Sequence, residues 1–92
     1  MPYEFKSSAT NSLIVDDEVY AKMEPIIRRE TDRMGVITVM EIPGVMLKLR
    51  AAAAREEREG GETKNWDDPR IEAFIQMLKT ALYARDSVIL NA

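Results

Sequence analysis

The side chains with the most obvious capacity for chemistry are acidic. Asp16-Asp17-Glu18 is a run of three carboxylates, and Asp67-Asp68 is a pair. Adjacent carboxylates are raw material for a hard-cation site. The spacing argues otherwise, because the chain has no Asp-x-Asp-x-Asp-Gly run. Both clusters precede segments with helical periodicity, and acidic side chains favour the first turn, where the helix dipole is positive. Helix capping therefore accounts for them. Gly60-Gly61 lacks the spacing and the lysine of a phosphate-cradling loop. The chain has no cysteine and no histidine. That removes the thiolate nucleophile, the disulfide, the thiolate metal site, and the commonest general base and metal ligand. No nucleophile stands beside a base and no paired-carboxylate site is visible. The expectation is a non-enzyme with no catalytic residue, no cofactor and no metal.

What remains is binding. Trp66 is the only tryptophan. It is either an anchor at the edge of the core or an interface anchor of the kind over-represented at hot spots. Met40 and Met46 offer adaptable apolar contacts. The net charge is −3. Arg28, Arg29 and Arg33 alternate with Glu30 and Asp32, as on a solvated helix face rather than a nucleic-acid stripe. No nucleic-acid partner is expected. No run approaches the roughly 18 apolar residues of a membrane span. Residues Met1 to Lys6 lack the apolar core of a secretory signal. With no cysteine to oxidise, the expected compartment is the cytoplasm.

The elements that must position these residues fit one domain of 92 residues. A chain of this size buries roughly 60–65% of the surface it exposes when unfolded, which limits the room for an enclosed site. Residues 1–9 read as a flexible N-terminal tail carrying Tyr3 and Phe5, and residues 10–92 as a single α+β domain. Asn11 to Val15 reads as a strand. Asp16 or Asp17 then caps a helix running to about Met34, with Pro25 inside it and Gly35 at its end. Val36 to Ile42 and Val45 to Arg50 flank Pro43-Gly44 and read as a β-hairpin. Ala51 to Glu59 reads as a short surface helix. Asp68 and Pro69 open a longer helix whose stripe is Ile71, Phe74, Ile75, Leu78 and Leu82. Val88-Ile89-Leu90 is a final strand. The economical architecture is a small sheet, in the order β-α-β-β-α-α-β, with helices packed on one face.

Three stretches resemble the small effector (coupling or regulatory) proteins of bacterial multicomponent diiron monooxygenases. Thr10-Asn11-Ser12-Leu13-Ile14-Val15 looks like that family's first strand. Met23-Glu24-Pro25-Ile26-Ile27, with Val36-Ile37-Thr38-Val39 and Val45-Met46-Leu47-Lys48-Leu49, is similar to its helix and hairpin. Trp66-Asp67-Asp68-Pro69 and the helix after it look like a segment where members carry Gly-x-Pro-Phe. Two features depart from the pattern. Thr80-Ala81-Leu82-Tyr83 stands where members have Gly-Arg, and Gly61 lies too far from Trp66 to complete the Gly-x-Pro-Phe.

The resemblance implies a cofactor-free protein that docks on a diiron hydroxylase subunit and modulates oxygen activation and substrate hydroxylation. It places Asn11, Ser12 and the adjoining tail toward the partner, and Trp66 joins them as the candidate anchor. Three other readings compete. An antitoxin-like or repressor module would shift DNA in a salt-dependent way. A small enzyme or ligand-binding α+β domain would carry its small molecule through purification. A structural subunit would add an edge strand to a larger sheet.

Overall fold

A computed structural model describes residues 3–58 and 69–91. The fold is α+β, as the pattern predicts. The strands are β1 (Tyr3–Ser7), β2 (Thr10–Val15), β3 (Val36–Ile37) and β4 (Val88–Asn91), and the helices are α1 (Asp17–Glu30), α2 (Ile42–Arg58) and α3 (Pro69–Ala84). The sheet order is β2-β1-β4-β3, and every neighbouring pair is antiparallel.

Side chains alternate across the sheet. Phe5, Val15, Ile37 and Val88 are buried in one cluster with Val19, Tyr20, Met23 and Ile27 of α1, Val45 and Leu49 of α2, and Phe74, Ile75 and Leu78 of α3. The Phe5 ring lies 4.3 Å from that of Phe74, and Tyr3 stacks on Tyr20 at 3.9 Å. The register puts Glu4 beside Ile14 and Asn91, and Lys6 beside Ile89. These side chains occupy the opposite face, where Ile14 is 59% and Ile89 50% exposed.

Residues 3–7 are not a tail. They form β1, which pairs with β2 on one side and β4 on the other. The reason is the alternation Tyr3-Glu4-Phe5-Lys6, apolar inward and charged outward, which is the period of a half-buried strand.

The second arm of the expected hairpin is helical. Residues 45–50 lie in α2, which continues without a break through the alanine run that reads as a separate helix. Strand alternation puts Val45, Leu47 and Leu49 on one side. Helical spacing puts Ile42, Val45 and Leu49 on one side, and that spacing is the one observed: those three are fully buried while Leu47 is 66% exposed. Leucine, lysine, arginine and alanine all favour helix, and four consecutive alanines extend it. Pro43 is the second residue of α2; the Ile42 N–H before it donates to the Thr38 carbonyl at 3.1 Å and the Val45 N–H after it to the Glu41 carbonyl at 3.2 Å, so the proline forgoes one bond in the first turn without stopping the helix. Gly44 lets Glu30 approach: a Cβ there would sit 2.8 Å from Glu30 Oε1.

Local signals explain the ends of the helices. Asp16 caps α1 by accepting the Val19 N–H at 3.0 Å, and Asp17 and Glu18 occupy the first turn. α1 ends at Glu30 with Thr31 as its cap, short of Met34. Gly35 instead turns the chain into β3 with a φ of 84°. Pro25 is inside α1, as expected, on its exposed side. α3 begins at Pro69. It ends on Arg85, whose φ is 56°. The Arg85 N–H donates to the Leu82 carbonyl at 3.1 Å and the Asp86 N–H to the Ala81 carbonyl at 2.9 Å, which is the Schellman arrangement.

Candidate functional site

The acidic run at residues 16–18 does structural work. Asp16 spends one carboxylate oxygen on the α1 cap, and its Oδ2 lies 3.0 Å from Arg70. Among the described residues, no group of three or more His, Cys, Asp or Glu side chains is placed to hold a metal ion. The crevice between α1 and the β3–β4 edge, lined by Tyr20, Ile27, Met34, Ile37 and Leu90, has about 10 Å³ of space. That is room for about one water. Burial at its floor raises the Tyr20 phenol, and the Glu24 carboxylate adds to the shift.

Asn11 and Ser12 sit together on β2, an edge strand, and both are exposed. Phe5 pairs with Leu13, but Ser7 pairs with Thr10. Two residues of β2, Asn11 and Ser12, therefore stand opposite one residue of β1, Lys6. This is a β-bulge, which bends a strand and re-aims its side chains, and bulges concentrate at sheet edges and functional sites. Lys6 is 3.7 Å from Glu4, and this pair lies between Ile14 on β2 and Ile89 on β4. The result is a surface with a polar bulge at one rim, a charge pair at its centre and two exposed isoleucines. Trp66 lies outside the described residues, as do Asp67-Asp68 and Gly60-Gly61.

The turn beside the bulge is tied down. Asp86 Oδ2 accepts the Ser7 hydroxyl at 2.8 Å, the Ser8 N–H at 2.8 Å and the Ser8 hydroxyl at 2.7 Å. The Ser7 hydroxyl in turn accepts the Ala9 N–H at 3.2 Å. These donors, the Ser8 hydroxyl foremost, hold the Asp86 carboxyl below the usual aspartate range.

The sequence reading selected Asn11 and Ser12 but missed Glu4, Lys6, Ile14, Ile89 and Asp86. The alternation of residues 3–6 carried the signal for the first two. Nothing local could pair Asp86 with serines 78 and 79 residues away. No helix among the described residues is long and apolar enough to cross a membrane. No family model, no curated protein and no solved structure matches the chain.

Proposed function

We propose that the chain binds another protein through the open face of its sheet and acts in the cytoplasm as the regulatory component of a diiron monooxygenase, with the hydroxylase subunit as its partner. The observation that carries the binding role is the bulge. Asn11 and Ser12 are presented at the rim of a face that none of the described helices covers, beside the exposed Ile14. A sheet face that served only solubility would carry polar side chains in place of Ile14 and Ile89. The choice of partner rests on the resemblance of the first strand, of the proline-bearing α1 and of the segment leading into α3. The resemblance of residues 45–49 to a hairpin strand lends nothing, since they are helical.

Such a protein acts by linkage. It binds one state of the hydroxylase more tightly than another and shifts the population toward it. The test is capture from the native host with tagged protein, run beside a Ser12→Arg variant. Recovery of both the hydroxylase and a change in its turnover, each reduced by Ser12→Arg, is the expected result. A hydroxylase absent from the eluate, or one retained equally by the variant, would overturn the reading.

A further inference from the structure

We propose that Asp86 is a positioning residue for the Asn11–Ser12 bulge, a latch that selects the bulged register of the β1–β2 hairpin. For what the bulge binds, this rests on the protein-binding reading above.

Two registers are open to this hairpin. Continuing the Phe5↔Leu13 pairing without a shift would set Ser7 opposite Asn11 and leave a three-residue loop. The observed pairing sets Ser7 opposite Thr10 and leaves the two-residue turn Ser8-Ala9. A one-residue slip along a strand moves its side chains to the other face. The choice therefore decides how Asn11 and Ser12 are presented. β2 is an edge strand whose ladder runs to β1 alone among the described strands, and the bulge interrupts that ladder just where the strand nears the turn.

The latch supplies the missing constraint. The Schellman end of α3 fixes the Asp86 backbone through the Ala81 carbonyl. From there one carboxylate oxygen gathers the Ser7 hydroxyl and both donors of Ser8. Hydrogen bonds to an ionised acceptor are about twice as strong as neutral ones. Ser7, once oriented, accepts the Ala9 N–H and tightens the two-residue turn. The unlatched hairpin loses all of these contacts and keeps only the pairings nearer Phe5.

Backbone NMR of the isolated full chain tests the latch directly. Asp86→Ala should abolish the Ser7–Thr10 cross-strand contacts, keep those between Phe5 and Leu13, and speed exchange of the Ser8 amide about tenfold or more. Asp86→Asn, which keeps a neutral acceptor, should fall between. The double variant Ser7→Ala/Ser8→Ala leaves the Schellman end intact and removes the two hydroxyl donors; it should lose the Ser7–Thr10 contacts, while the Ser8 amide, still bonded to Asp86, exchanges more slowly than in Asp86→Ala. Persistence of the Ser7–Thr10 contacts in either alanine variant overturns the latch. So does faster exchange spread evenly over α1, α2 and α3, which would mark a purely global role.

Capture of the hydroxylase separates the two claims. Weaker capture by the unlatched variants supports the positioning role, and unchanged capture overturns it. If wild-type protein captures no hydroxylase, the proposed function fails and the latch still stands or falls on the NMR.

Discussion

The Glu41 carboxylate accepts the backbone N–H of Thr38 at 3.0 Å, three residues back, as the N3 residue of a capping box does. Its second oxygen accepts the Asp32 N–H at 2.9 Å, so the same side chain ties the α1–β3 connection to the start of α2. These bonds, with Thr38 foremost, hold the Glu41 carboxyl below its usual value of 4.5. A carboxyl depressed in the folded state adds stability above its unfolded pKa and loses it as pH falls through the folded one. Glu41→Gln should therefore cost stability at pH 7, by about 1 kcal/mol on the scale of a lost cap. The cost should shrink as the pH falls below 4.5 and the wild-type carboxyl takes up its proton at its depressed folded value. Urea midpoints of both proteins, measured from pH 7 down to pH 3, check this. A difference that does not shrink in acid would contradict it.

Leu47 and Leu49 separate the helix from the hairpin by experiment. On a strand they share a face and would respond alike. On α2, Leu49 is fully buried and Leu47 is 66% exposed. Leu49→Ala should cost about 2–5 kcal/mol. Leu47→Lys should stay within about 0.5 kcal/mol of wild type and retain helical circular dichroism. Equal destabilisation by the two would contradict the helix.

The helices with unbroken periodicity were legible in the sequence. Of the stripe Ile71, Phe74, Ile75, Leu78 and Leu82, the first four are buried as predicted and Leu82 is partly buried against the same core, because a 3.6-residue period sustained over about three turns has one reading. Residues 42–50 were ambiguous, because Val45 and Leu49 satisfy both a period of two and a helical one. Pro43-Gly44 then pulled the reading toward a turn. Thr38-x-x-Glu41 was the local clue for a helix start and outweighs it. The candidate site was half legible. Asn11 and Ser12 could be named, but the bulge that joins them depends on cross-strand register, and the latch depends on two segments that meet only in the folded chain.

Arg85 occupies the left-handed region with a φ of 56°. A side chain there brings Cβ close to the following carbonyl, at about 1–2 kcal/mol for an L-residue. Glycine avoids that clash but gives back part of the gain in unfolded-chain entropy. Arg85→Gly should therefore raise stability by about 0.5–1 kcal/mol and the melting temperature by a few degrees. Thermal denaturation at neutral pH is sufficient to see it. A lower melting temperature would show that the Arg85 side chain contributes more than its backbone conformation costs.

The first nine residues supply the last prediction. As a tail they would be dispensable. As β1, residues 3–7 hold the sheet together, because β2 reaches β4 only through them. Phe5 is fully buried, against Phe74 of α3. Deleting residues 1–9 removes that ring, the Tyr3–Tyr20 stack and both ladders of the strand. The truncated chain should fail to fold, giving a collapsed amide spectrum. Phe5→Ala in the full chain should cost about 3–5 kcal/mol, most of the stability of a domain this small. Glu4→Ala, one residue away on the open face, should cost less than about 1 kcal/mol, since its pairing with Lys6 is exposed. A truncated protein with a dispersed spectrum, or a Glu4→Ala variant as damaged as Phe5→Ala, would contradict β1 as an inner strand of the sheet.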